Sequence, residues 1–408
     1  MIISAETTAF DKKGGPRNMA DHASIEVDLS STVAPATEHW KQMDELREAH
    51  RFFWNTKGGY WVLTRYEDIR EAFNKPELFS NRSIVATDPN PAYRFLPSFS
   101  EPPQHMKYRH LMNGWFAPAS IKRHAARIAE LAHDTVSPLV SQGHADFITA
   151  FGDGFPVKVF LLVMGLPLDD AEFFVSAVHR MSGNTPGHPS DMTAWDDIHN
   201  YWAQMLANRR TNPCDPQVDF VTHLSLCELD GEPLPDVDIL DILVTLTLGS
   251  LDTIKNQLGW CFYHLATNPD DRRRVAATPE LIPSAVEEFL RAYPIVGMAR
   301  KLNEDTDFHG CPMKKDDMVL LSIPSATRDP RQFADADRVL IDRSPNRHIA
   351  FGASEHRCLG SHLARCELQS AIREWHSLIP DYRLDTEDQL LAHGGLISLR
   401  SLPLAWDA

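Results

Sequence analysis

The chain has 408 residues, 43% of them hydrophobic, an ordinary globular composition with material for a large core. Its 40 basic and 56 acidic side chains give a net charge of −16 and a pI near 5.6, which argues against nucleic acid or an anionic membrane as a partner. The six cysteines (Cys214, Cys227, Cys261, Cys311, Cys358 and Cys366) form no CxxC pair. Their spacing indicates neither a zinc site nor a disulfide framework and suits a reducing cytoplasm.

Residues 1–25 are polar and aperiodic, lack the apolar stretch of a signal peptide, and read as a flexible tail. Tyr60 to Thr64 reads as a strand turning into a helix. Residues 80–104 are rich in Pro and Ser yet carry Tyr93, Phe95, Leu96 and Phe99. A long loop with that many apolar groups packs over something or serves function. The apolar run 157–168 is too short to span a bilayer. From 119 to 292 the pattern is mostly helical. Trp195, Ile198, Trp202 and Met205 mark one helix face, which "TPGHPSD" (185–191) separates from the helix before it. Residues 237–266 predict a long apolar helix, and Pro283 sits where it would open another. Short strands are expected around 297–303, 306–309 and 317–321, then an irregular Pro- and Arg-rich stretch, then a helix over 360–376. The fold class is mainly α with a small β part.

The chemistry concentrates in "FGASEHRCLG", residues 351–360. Cys358 follows His356 and Arg357 and directly precedes a helix start, whose free N–H groups favour an anion. A thiolate would be stabilised there. Taken alone, Cys358 reads rather as a structural cysteine in a loop. The stretch as a whole resembles the haem-thiolate signature of the cytochrome P450 family, Phe-Gly-x-Gly-x-His/Arg-x-Cys-x-Gly. Phe351, Gly352, His356, Cys358 and Gly360 match, while Ser354 stands where the family has glycine, which puts its backbone angle in question.

Further motifs of that family occur in order. Glu288 and Arg291 in "EEFLR" read alone as an exposed helix pair; the resemblance implies a buried structural network with Arg343. "GSLDTIKNQ" interrupts the apolar helix with Asp252 and Thr253, which alone would mark its emergence into solvent. The stretch resembles the family's oxygen-activation motif at Gly249, Asp252 and Thr253, with Ser250 replacing a glycine. The resemblance implies that Asp252 and Thr253 are catalytic and relay protons. His105, Arg109, Arg300 and His348 read singly as surface cations; the resemblance implies that they meet the haem propionates.

The resemblance covers about residues 40–408. It implies one haem domain (26–408) shaped as a triangular prism, with haem b between the central helix and the helix after Cys358. Cys358 would ligate iron, with Phe351 and Gly360 beside the cofactor. The implied activity is monooxygenation, using dioxygen and electrons from a ferredoxin-type donor with its reductase. Arg343 to Arg365 holds four Arg and one acid, Glu355, a basic stretch suited to an acidic donor. By the same resemblance the substrate would meet Tyr93, Thr245, Leu248, Gly249, Val296 and Met298, and be a small hydrophobic, terpenoid-like molecule. The 80–99 loop resembles that of camphor-hydroxylating bacterial members. Tyr93 there would donate a hydrogen bond to the substrate, or else simply pack. A peroxide-using haem-thiolate enzyme and a non-catalytic haem sensor or carrier are the alternative functions.

Overall fold

The computed structural model describes residues 23–182, 191 and 193–408, with three two-residue strands at 5–6, 9–10 and 16–17. Most of the expected 1–25 tail therefore lies outside the described residues, as does the 185–191 break apart from Asp191. The tail boundary itself is corrected: Ala23–Ile25 is a strand, and Ile25 is fully buried.

The small β part is chiefly one seven-stranded sheet. Its strands are β1 (Ala5–Glu6), β2 (Ala23–Ile25), β3 (Phe52–Asn55), β4 (Tyr60–Leu63), β5 (Phe79–Ser80), β6 (Met298–Leu302) and β7 (Met318–Leu321). The order across the sheet is β1-β2-β3-β4-β7-β6-β5. β4 and β7 pair in parallel with Val62 opposite Leu320, so strands from opposite halves of the chain meet. β3 and β4 are buried throughout. Apart from Asn55 at the end of β3 they are apolar throughout, as strands buried on both faces are.

The helices that build the site are α1 (Gln104–Asn113), α2 (Pro118–Val136), α3 (Gly154–Met164), α4 (Ala171–Ser182), α5 (Thr193–Thr211), α6 (Asp236–Thr267), α7 (Ile282–Ala292) and α8 (Ser361–Leu378). α6 is the expected 237–266 helix. Its 32 residues span about 48 Å at 1.5 Å per residue. Ile239, Leu243, Leu251, Leu258, Phe262 and Leu265 bury themselves on its several sides. Each contributes about 1.5–3 kcal/mol relative to exposure. A helix apolar all round belongs at the centre of the fold, and α6 packs against α3, α5, α7 and α8. The face read from Trp195 to Met205 is real: Ile198 and Trp202 are buried, and Trp202 Nε1 donates to Thr247 Oγ1 of α6 at 2.9 Å. The apolar run 157–168 is α3, which ends at Gly165 with φ +75°. A Cβ there would stand 1.9 Å from Val218 O, so only glycine closes this helix.

Candidate active site

α6, α8, α1, β6 and the Cys358 loop enclose a cavity of about 450 Å³. The loop is a backbone construction. Gly352 N–H donates to Ile349 O (2.8 Å), Arg357 N–H to Ser354 O (3.1 Å) and Cys358 N–H to Phe351 O (2.9 Å). Gly352 has φ +69° and Ser354 has φ +61°. Ser354 thus occupies the left-handed region that its family position reserves for glycine. That conformation costs a non-glycine residue about 1–2 kcal/mol. Glycine there adds about 0.4–1 kcal/mol of unfolded-chain entropy in opposition. Ser354→Gly is therefore expected to stabilise the protein by about 0.5–1 kcal/mol, read as a higher urea midpoint with an unchanged slope.

Cys358 lines the cavity and is solvent-accessible there. Burial pushes the thiol up from its ordinary value, while the Gly360 N–H and the charges of Arg109, Arg357 and Arg365 pull it back. Gly249, Ser250 and Thr253 of α6 contribute a second wall. Thr253 Oγ1 donates to Gly249 O at 2.7 Å, which leaves its lone pairs available as acceptors.

Another part of the cavity gathers nitrogen donors: His105, Arg109, Arg300 and His356 all line it. His105 Nδ1 and His356 Nε2 are buried without a hydrogen-bond partner among the described residues, and the two rings stack with centroids 3.8 Å apart. Arg300 is buried, donates to Ala299 O and lies over the Phe73 ring. Burial holds the Arg300 guanidinium down at about 9. His105 is held at about 4 by burial and then by Arg109, and His356 is pushed far down by burial, His105, Arg300 and Arg109. Burial disfavours the charge of all four groups, and the neighbouring arginines disfavour it further at the two histidines.

His348 parts from the sequence expectation. Its Nε2 sits 3.0 Å from Glu287 Oε2, a carboxylate that also pairs with Arg365 at 2.6 Å, and it does not line the cavity. His356 lines the cavity where His348 was expected. Tyr93 departs too. Its ring packs on Phe95, Phe99 and Trp195, and its hydroxyl faces Asp88, while Phe95 is the loop ring that reaches the cavity. Of the remaining expected substrate residues, Thr245, Leu248, Gly249, Val296 and Met298 all line the cavity. So do Phe351 and Gly360. Sequence reasoning missed Glu367, a buried carboxyl lining the cavity from α8, whose pKa burial raises well above the usual range.

Glu288 and Arg291 are both fully buried. Arg291 grips Glu288 through two bonds of 2.8 Å, and Arg343 Nε adds a third partner at 2.9 Å. Asp252 does not emerge into solvent with its neighbours: Lys255 and Asn256 are buried, and Lys255 Nζ meets Asp252 Oδ1 at 2.8 Å.

One long apolar helix, a thiol, a hydroxyl and four nitrogen donors meet on a single cavity. The sequence profile of the cytochrome P450 family matches residues 183–277 and 279–387. The mycinamicin IV hydroxylase/epoxidase of Micromonospora griseorubida is 31% identical over 85% of this chain and 89% of that protein. Cytochrome P450-terp of a Pseudomonas species is 28% identical over 84% of this chain and 87% of its own length. The solved structure of cytochrome P450 CYP101C1 superposes with a TM-score of 0.86 at 26% identity, over 94% of this chain and 98% of that one. The chain belongs to the cytochrome P450 family, and it is a P450 monooxygenase with a haem-iron cofactor, dioxygen, an electron-transfer partner and a hydrophobic substrate. Among the described residues no helix is long and apolar enough to cross a membrane.

Proposed function

We propose that the protein hydroxylates a compact, terpenoid-like substrate on haem b, with electrons from a ferredoxin-type donor and its reductase. The observation that carries this is the meeting of Cys358 Sγ, the Thr253 hydroxyl and the His105–Arg109–Arg300–His356 cluster on one cavity. Cys358 would ligate the haem iron, and the four donors would hold the two carboxylates of the cofactor. Bound haem supplies iron-centred reductive activation of dioxygen. The chain's own residues do the rest. Phe95, Leu248, Val296 and Met298 exclude water and seat an apolar body. The Thr245 proton is committed to Asp241 O at 2.7 Å, so this hydroxyl offers the substrate an acceptor and suits a ligand that donates. Thr253 and Asp252 hold the protons that oxygen reduction consumes.

The donor would dock near the cysteine loop. Arg343 and Arg365 are tied to Glu288 and Glu287, which leaves Arg347 and Arg357 exposed for an acidic partner. The test is optical. The reduced protein with CO should show the red-shifted band of thiolate ligation, and a panel of small hydrophobic compounds should shift the Soret band from low spin to high spin. Hydroxylated terpenoids should bind best among them, and reduction by an acidic ferredoxin should slow as salt is raised. A reduced-CO spectrum without the thiolate band would overturn the haem-thiolate reading, and a panel without a compact hydrophobic binder would overturn the substrate class.

A further inference from the structure

At the edge of the cavity three ligand-type atoms converge that no hydrogen bond uses. His105 Nδ1, Glu355 Oε1 and His356 Nε2 are all buried without a hydrogen-bond partner among the described residues. His105 is 1% exposed, and the Glu355 and His356 side chains are 20% and 9% exposed. His356 Nε2 lies 3.6 Å from Glu355 Oε1, and the two imidazoles stack with centroids 3.8 Å apart. One ligand atom from each of the three residues falls within 4.8 Å of the others, and among the described residues no other group of His, Cys, Asp and Glu does so. Two elements meet here. His105 stands at the start of α1, and its backbone N–H donates to Glu101 O at 2.9 Å. Glu355 and His356 directly follow the left-handed Ser354 in the Cys358 loop.

Bonding within the protein does not account for this cluster. A buried polar atom without a partner bears the full cost of its lost hydration, and one spot gathers three. Acids gather as well. Burial, then the like charges of Glu101 and Glu77, raise the Glu355 carboxyl, and Glu101 Oε1 is itself buried and unpaired among the described residues. These acids offset Arg109 and Arg300, which would otherwise oppose a cation here. Burial also favours the neutral form of both imidazoles, the form in which a ring nitrogen ligates a metal. Two imidazoles and one carboxylate are the donor set of a borderline divalent cation that keeps one open position.

We propose that His105, Glu355 and His356 bind one divalent cation of the zinc class and thereby clamp α1 to the Cys358 loop. The cation takes His105 Nδ1, Glu355 Oε1 and His356 Nε2, and water fills the fourth position. Each ring keeps its second nitrogen, His105 Nε2 and His356 Nδ1. A metal-bound histidine commonly donates that other N–H to a carboxylate, and the cofactor's carboxylates are such acceptors, so the two roles of these histidines agree. The site consists of protein atoms and does not depend on the cofactor reading.

The test uses haem-loaded protein, freed of metal with a chelator and titrated calorimetrically with zinc. Wild type should bind one zinc ion per chain, and its urea midpoint should rise with zinc concentration. Glu355→Ala removes an unpaired buried oxygen, so it should fold and load haem. It should bind zinc about tenfold or more weakly and lose the zinc-dependent rise of the midpoint. Zinc-edge X-ray absorption of the wild type should show nitrogen and oxygen neighbours at about 2.0–2.2 Å and no sulfur at about 2.3 Å. That reading separates this site from the Cys227–His223 pair, whose sulfur and Nε2 lie 3.7 Å apart. No zinc binding by wild type, equal binding by Glu355→Ala, or a sulfur neighbour would each overturn the site. Should Glu355→Ala fail to fold, the wild-type titration and absorption spectrum decide alone. The reduced-CO thiolate band, read on the same samples, reports separately on the haem-thiolate assignment: a band without zinc binding sinks the metal site alone, and zinc binding without the band sinks the assignment alone.

Discussion

Replacing Cys358 by Ser is expected to abolish monooxygenase turnover, by about a thousandfold or more, while leaving the fold intact. Hydroxyl for thiol is nearly isosteric, and the loop's hydrogen bonds run through the backbone from Phe351, Ile349 and Ser354, so no structural bond is lost. The chemistry is lost. A thiolate donates electron density that favours O–O cleavage, and a thousandfold in rate is about 4 kcal/mol of barrier. A serine hydroxyl does not ionise in the range where a thiol does. In this site even the thiol is pushed up by burial and draws only partial relief from the Gly360 N–H and three Arg charges. Metal coordination is what converts such a thiol to thiolate outright. Cofactor retention should survive, because the donors proposed to hold its carboxylates, His105, Arg109, Arg300 and His356, line the cavity independently of Cys358. The expected result is therefore a folded, haem-loaded, inactive protein whose reduced-CO spectrum lacks the thiolate shift. Full turnover in Cys358→Ser would remove the ligand assignment.

What the sequence made legible follows from how far each feature reaches. The Cys358 loop, the Glu288–Arg291 pair and the Asp252–Thr253 pair each lie within one element, so their spacing carries their geometry. α6 and α8 were legible for the same reason, since apolar pattern and helix period coincide. Features decided between elements were not. His348 and His356 flank the same loop, and which of them faces the cavity depends on the chain reversal at Gly352 and Ser354. Tyr93 and Phe95 compete for the cavity, and Trp195 of α5 captures the tyrosine. Lys255 and Asn256 read as solvent-facing because they are polar; Lys255 is buried instead, paired with Asp252 at 2.8 Å and, from just before α3, with Asp153 at 3.6 Å. Of the four Arg in the basic stretch, two are consumed by Glu287 and Glu288 of α7, partners no local pattern names.

The other large effect belongs to Arg291. Its guanidinium makes two bonds to Glu288 and donates to Ala336 O at 2.8 Å and Arg338 O at 2.7 Å, all at zero exposure of its side chain. Arg291→Ala strips these acceptors at once and leaves Glu288 to Arg343, Asn346 and the Leu340 N–H. Breaking one side of a buried pair costs about 3–5 kcal/mol, against a total stability of about 5–15 kcal/mol. Arg343→Ala should cost less. Its Nε bond to Glu288 is comparable, but its NH1 and NH2 bonds to Ala334 O and Asp335 O lie in exposed surroundings, where water replaces them. Glu288→Gln should fall between, since the amide keeps the shape and one acceptor while the two buried guanidiniums lose their counter-ion. Urea unfolding followed by far-UV circular dichroism should rank the three midpoints Arg343→Ala, Glu288→Gln, Arg291→Ala in descending order. Haem loss should track that order, because the network ties α7 to the irregular chain that delivers the Cys358 loop. If Arg291→Ala unfolds at the wild-type midpoint, the pair is an ordinary helix contact and the Cys358 loop is positioned by something else.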